Sequence, residues 1–294
     1  MEVGWRPACG GTPTNHYKYY TMISDLSQSI ILGIIQGITE FLPISSTGHL
    51  VIFHRIIDSP LFNNLTFDVI LHAGTLLALL IYFYKEIIEL IKGFFLSIFK
   101  PDFRRDLNQR ISWFIIIGTI PVAVAGYFFG DFIEINLRSL PIVITSLIIV
   151  GILFIVVERT VKILRSLEVI NLGDSLFIGL AQILSLIPGV SRSGITIIAG
   201  MSKKLTRESS AKFAFLLAIP AIFGATLKQV LDLGFNNLMS EIGLVYLAGF
   251  LSSFIIGLLA LKFLLNFLKN HSLIGFAVYR FILAGILIFI FYLV

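Results

Sequence analysis

The sequence predicts an all-α, polytopic membrane protein with about six transmembrane helices and two re-entrant helical loops related as an inverted repeat. Three observations predict it. Apolar residues make up 57% of the 294 positions and charged residues 13%, against about 25% charge in an ordinary soluble domain. Apolar runs recur at the length of about 20 residues that a helix needs to cross a bilayer. Two shorter apolar runs each lead into a polar, proline-containing segment, and these two segments resemble one another.

Six stretches meet the length test: 65–84, 112–130, 140–157, 209–228, 242–264 and 273–294. These are the expected spans. The shorter runs, 28–44 and 174–188, end in Pro43-Ile-Ser-Ser-Thr-Gly-His49 and Pro188-Gly-Val-Ser-Arg-Ser-Gly194. Broken backbone is tolerated at membrane depth only where protein or a watered cavity satisfies its polar groups, so both are read as re-entrant loops lining a site. Gly33, Gln36, Ser45 and Gly48 match Gly179, Gln182, Ser191 and Gly194 at one constant offset. The expected organisation is therefore a single membrane domain over 22–294, with a first repeat at about 28–157 and a second at about 174–294.

Residues 1–21 are polar and contain Gly and Pro, and they lack the apolar stretch of a secretory signal. They are read as a disordered tail or a start-site extension. Cys9 is the only cysteine, which excludes an intrachain disulfide and a cysteine zinc cluster. Net charge is +5 with pI near 9.3. The basic residues sit between apolar runs, which favours contact with anionic membrane lipids over nucleic-acid binding. One side of the six spans carries Lys85, Lys92, Lys100, Arg104, Arg105, Arg110, Arg159, Lys162, Arg165, Lys203, Lys204, Arg207 and Lys269; the other carries Arg55 and Arg138. By the positive-inside rule the first side is cytoplasmic and both termini are outside.

Ionisable groups within apolar segments cost roughly 2.5–3.5 kcal/mol on insertion scales, so each calls for a partner or a task. Gln36 and Glu40 share one helical face and are followed by Ser45, Ser46, Thr47, Gly48 and His49. Helix capping accounts for one of these hydroxyls, not for three in a row followed by His. The second loop sets Ser191, Arg192 and Ser193 between Gly189 and Gly194. Arg offers a planar fork to phosphate oxygens, glycines let backbone N–H groups approach an anion, and serines add donors. A plainer reading, in which Arg192 neutralises Glu40, is compatible with this in the empty site. Asp68, His72 and Thr75 form a polar stripe that either lines the same cavity or bonds between helices. Arg280, deep in the last span, needs a partner that the sequence does not name.

GIIQGITEFLPISSTGHL at 33–50 and LIPGVSRSGITIIAG at 186–200 resemble the two signature regions of the undecaprenyl-diphosphate phosphatase, or bacitracin-resistance, family. The resemblance runs from about Ser27 to the C-terminus and includes FLLAIPAIFGAT at 215–226 and FAVYRFILAG at 276–285. It implies a membrane enzyme converting a long-chain polyprenyl diphosphate to the monophosphate, which recycles the carrier lipid for cell-surface polymers. Gln36 stands where the family more often has Glu, which weakens a two-carboxylate metal site.

On this reading Arg192 clamps the phosphate, and Ser45, Thr47, Gly48, Gly189, Ser191, Ser193, Gly194 and Thr196 surround it as substrate-binding candidates. His49 is the favoured general base or nucleophile. Ser46 is the rival nucleophile, with His49 as its base. Glu40, helped by Gln36, holds Mg2+ or Ca2+ or orients His49. The expected partners are the polyprenyl diphosphate and membrane lipids, with a homodimer left open and no nucleic acid. The expected location is the plasma membrane, with the site opening to its outer face. The competing reading is a polyprenyl-phosphate transporter or flippase, and a purely structural scaffold leaves Glu40, His49 and Arg192 without a purpose.

Overall fold

The computed structural model describes residues 15–56, 65–233 and 243–293, and among them the regular structure is helical apart from an isolated bridge between Arg165 and Leu205. The helices are α1 (Asn15–Phe41), α2 (Ser46–Ile56), α3 (Leu65–Tyr82), α4 (Tyr84–Phe99), α5 (Leu107–Asn136), α6 (Leu140–Thr160), α7 (Leu172–Ile183), α8 (Arg192–Ser202), α9 (Arg207–Leu233), α10 (Leu244–Asn270) and α11 (Ile274–Ile288). Five helical segments are long and apolar enough to cross a membrane: Leu107–Gly130, Leu140–Thr160, Arg207–Asp232, Leu244–Asn270 and Ile274–Phe291. Their outward faces carry exposed side chains such as Phe128, Leu153, Phe223 and Ile255, as expected of surfaces solvated by lipid rather than water.

The sixth expected span differs from a simple crossing. Its residues form α3, but the chain breaks at Phe83 and turns by 77° into α4, a helix placed by sequence reasoning in a loop. α4 sets Lys85, Glu86, Glu89 and Lys92 among Ile88, Ile91, Phe95 and Leu96. Those charges keep it from continuing α3 through the apolar layer. α1 is also longer than the apolar run that marked it, and reaches back to Asn15 within the segment read as a tail. Residues 1–14 lie outside the described residues.

Close packing of small residues builds both halves in the same way. α1 lies along α10, and α7 lies along α5. A Cβ added at Gly33 would sit 2.5 Å from Gly249 O, and one at Gly179 would sit 2.1 Å from Gly118 O. Small residues let helix backbones approach where lipid offers no hydrophobic drive to associate. One turn earlier, Ser29 Oγ donates to Val245 O at 2.5 Å, and Ser175 Oγ donates to Phe114 O at 2.6 Å. Ser29 and Ser175 stand at the same offset that relates Gly33 to Gly179. α3 packs against α9 and α6 against α11, so the equivalent helices of the two halves also meet.

The basic end is tied by ion pairs. Glu158, whose side chain is 2% exposed, accepts the Arg207 guanidinium and Leu273 N. Arg165 bonds Asp174 at 2.6 Å, and those hydrogen bonds raise its pKa above the usual guanidinium value. Asp174 in turn completes a capping box with Asn171 at the start of α7. Lys212, at the same end, reaches Glu86 at 3.1 Å.

Candidate active site

α1 and α7 each end in a tight turn from which a short helix departs. Ser45 has φ +78°, Ser191 has φ +76°, and each Oγ accepts a hydrogen bond at 3.2 Å, from Gly48 N and Gly194 N respectively. Positive φ at a non-glycine residue costs about 1–3 kcal/mol and persists only when the surroundings impose it. Here the same serine cap imposes it twice. Gly189, with φ +93°, lies so close to α6 that a Cβ would be 2.7 Å from Val143 O.

The turns are held together by Arg280 of α11, which is wholly buried. Its guanidinium donates to Pro43 O at 3.3 Å and Gly189 O at 2.7 Å, one carbonyl from each turn, and to Ser146 O and Leu147 O of α6. Its partners are therefore backbone carbonyls, two in the turns where the helices break and two within α6, rather than an acid. Ser193 Oγ adds a link to Leu42 O at 3.4 Å.

This arrangement brings the first residues of α2 and α8, Ser46 and Arg192, to a single carboxylate. Glu40 Oε2 accepts from Ser46 Oγ at 2.7 Å and from Gln36 Nε2 at 3.2 Å. Arg192 Nη1 lies 3.7 Å from Glu40 Oε1, and His72 Nδ1 lies 3.7 Å from Oε2. Ser46 and Arg192 occupy equivalent positions in the two halves, whereas Glu40 corresponds to Leu186. The halves are alike in backbone and complementary in chemistry. Two buried polar atoms here have no hydrogen-bond partner: Gln36 Oε1, an acceptor, and Arg192 Nη1, a donor. A small space beside Arg192 is lined by Glu40, Phe41, Leu79, Arg192, Ser193, Ala214, Phe215, Ala218 and Ile222. A larger cavity of about 810 Å³ lies a turn away along α3 and α9, at the end carrying Lys212, Lys262 and Lys269, and none of the loop residues line it.

His49 is not part of this cluster. Its Nδ1 lies 2.7 Å from Ser45 O, a carbonyl that can only accept, so Nδ1 carries the hydrogen and Nε2 accepts from Tyr279 O–H at 2.7 Å. Both ring nitrogens are committed, and the ring stacks on Tyr279. The geometry gives Ser46 a carboxylate partner, Glu40, where sequence reasoning expected His49. Thr196 Oγ1 is likewise committed to Arg192 O at 2.7 Å, and Thr47 Oγ1 lies 3.4 Å from Ser45 Oγ. Ser191 and Ser193 hydroxyls lie 3.2 Å apart, while Gly48 and Gly194 contribute the capped N–H groups of the first helical turns.

His72 is the residue that sequence reasoning placed least well. The Asp68, His72, Thr75 stripe divides: Asp68 pairs with Arg138 at 3.5 Å, Thr75 Oγ1 bonds His72 O, and only the His72 ring reaches Gln36 and Glu40. For the expected divalent ion, the site supplies one carboxylate and the unpartnered oxygen of Gln36, and no cluster of three His, Cys, Asp or Glu exists among the described residues. Hard cations take six or more oxygens. These residues therefore fit an ion carried in by phosphate better than one resident in the protein.

The description of the family model that matches residues 29–286 is "Bacitracin resistance protein BacA". The chain is 45% identical over 275 residues to an undecaprenyl-diphosphatase of Thermodesulfovibrio yellowstonii, covering 92% of this chain and 98% of that one. It is 39% identical over 269 residues to one of Moorella thermoacetica, covering 90% and 98%. It is 38% identical over 264 residues to one of Rubrobacter xylanophilus, covering 89% and 97%.

Proposed function

The chain belongs to the bacitracin resistance protein BacA family, and from that premise we propose how Glu40, Ser46 and Arg192 carry out its reaction. The protein is a multi-pass membrane phosphatase that hydrolyses undecaprenyl diphosphate to the monophosphate and inorganic phosphate. The observation that carries the residue assignment is the 2.7 Å hydrogen bond from Ser46 Oγ to Glu40 Oε2, beside an Arg192 Nη1 that is buried and has no hydrogen-bond partner.

Ser46 Oγ attacks the terminal phosphorus, and its proton passes to Glu40. The Oγ–P bond forms as the bridging P–O bond breaks, and polyprenyl monophosphate leaves as an anion that needs no proton. Water then attacks the phosphoserine. Its oxygen bonds to phosphorus, Oγ departs and regains the proton held by Glu40, and inorganic phosphate is released. Arg192 binds the terminal phosphate oxygens throughout. At 3.7 Å its pairing with Glu40 is loose, so substrate can take over the guanidinium without breaking a short bond. The first turns of α2 and α8 add the positive ends of two helix dipoles. A divalent cation, Mg2+ or Ca2+, would be held between Glu40 and the substrate phosphates and would supply charge neutralisation.

Lys and Arg cluster at the ends of α6 and α8 and the start of α9. This supports a cytoplasmic basic end with both termini outside, and the resemblance to the family favours a site that opens toward the outer face. The alternative of a lipid transporter has only the repeat in its favour. Phosphate release by purified protein in detergent, with and without chelator, tests the reading: the parent enzyme releases phosphate and Ser46→Ala does not. Lipid movement across a bilayer without phosphate release would overturn it.

A further inference from the structure

Gln36 is wholly buried, and both hydrogens of its amide are engaged. Nε2 lies 3.2 Å from Glu40 Oε2 and 3.1 Å from His72 Nδ1. An ionised carboxylate only accepts, so the amide nitrogen, not its oxygen, faces Glu40. The same nitrogen gives its second hydrogen to Nδ1, which leaves the imidazole hydrogen on Nε2. The amide is thus gripped from two helices, by Glu40 on its own α1 and by His72 on α3. Its terminal torsion would otherwise be broad. The atom left over is Oε1, a buried acceptor without a partner.

The first half of the reaction makes no use of that acceptor. Ser46 gives its hydrogen to Glu40, and Arg192 offers donors to the phosphate. The second half brings in a molecule whose hydrogens need an acceptor: the water that cleaves phosphoserine.

We infer that His72 is a positioning residue for this step, fixing Gln36 so that Oε1 accepts a hydrogen bond from the attacking water. The inference rests on the reading of Ser46 as nucleophile. Water's oxygen bonds to phosphorus as the Oγ–P bond breaks, Ser46 recovers its proton from Glu40, and the hydrogen bond to Gln36 orients the water without removing a proton. Gln36 then serves the water, and Glu40 is the residue that would hold the cation.

The test compares Gln36→Leu, His72→Leu, His72→Gln and the double Leu variant of the full chain in detergent, with melting temperature measured for each. Both Leu variants should lower kcat by about 100-fold, as misplacing a reacting group by about 1 Å does, with KM falling in step so that kcat/KM is unchanged, and should accumulate phosphorylated Ser46. His72→Gln retains an oxygen that can accept the same N–H, and should recover most of the lost kcat. The double variant should be no slower than the slower single, because the two residues act as one unit. The inference is overturned if His72→Gln is as slow as His72→Leu, which would mean that the imidazole itself moves the proton. Parental kcat in His72→Leu overturns it too, as does a Leu variant that shifts only the cation concentration for half-maximal activity, or one that accumulates no phosphoserine. Ser46→Ala, measured alongside, separates the two levels: if active, the nucleophile reading fails as well; if inactive, only the roles of His72 and Gln36 are rejected.

Discussion

Replacing Gly179 by alanine should damage catalysis by moving a helix that carries none of the reacting atoms. The added Cβ would lie 2.1 Å from Gly118 O and 2.9 Å from Gly118 C, whereas ordinary contacts begin at 3.4 Å. Both obstacles are backbone, so no side chain can swing aside. α7 and α5 must separate by roughly 1 Å, which also strains the Ser175 Oγ to Phe114 O bond of 2.6 Å. Overpacking of this kind costs about 1–3 kcal/mol. α7 leads directly into the turn bearing Arg192, and a displacement of about 1 Å in a reacting group costs on the order of 100-fold in rate. The assay is melting temperature and kcat in detergent, with Gly224→Ala as control, since a Cβ there meets nothing within 4 Å. The expected result is a melting point several degrees lower and a large loss of kcat for Gly179→Ala, with Gly224→Ala unchanged or slightly more stable. A Gly179→Ala protein as stable and active as its parent would refute the close-packing argument.

Further outcomes follow from the site. Arg192→Lys keeps the charge but loses the fork, and should lower turnover by about 2.7–4 kcal/mol of transition-state stabilisation with little change in melting temperature; near-parental turnover would mean that Arg192 only neutralises Glu40. Glu40→Gln should abolish phosphate release in a folded protein, because Ser46 then has no acceptor for its proton. His49→Asn should lower turnover far less than Ser46→Ala, since His49 braces Ser45 against Tyr279 rather than touching Glu40; equal losses would restore His49 as base. Chelation should stop turnover and leave the melting temperature of the substrate-free enzyme unchanged. A chelator-induced drop in melting temperature would point to a resident metal.

Much of the fold was legible because lipid imposes simple rules. Long apolar runs gave α5, α6, α9, α10 and α11, and the two proline-containing motifs marked both turns. The bend at Phe83 was hidden because neither Gly nor Pro marks it; what stops α3 is the cost of taking the charged face of α4 through the bilayer. Within the site, Glu40, Ser46 and Arg192 were readable as polar residues that an apolar segment must account for. His72 was visible as part of a stripe, yet a helical period gives the face of a residue and not the neighbour it meets. The direction of the His49 ring was not legible: the residue sits three positions from Ser46, while its ring turns away to a tyrosine in the last helix. The partners of Arg280 are backbone carbonyls, and these leave no mark in a sequence.

The central claim is that Ser46, activated by Glu40 and faced by Arg192, takes up the terminal phosphate. It is tested most directly by mixing the enzyme with undecaprenyl diphosphate labelled on that phosphate, quenching within one turnover and locating the label. The account predicts label on Ser46 in the parent protein, passing to inorganic phosphate as turnover proceeds, and none on Ser46→Ala. Label that appears only as free phosphate, with Ser46→Ala releasing it at the parental rate, would contradict the account.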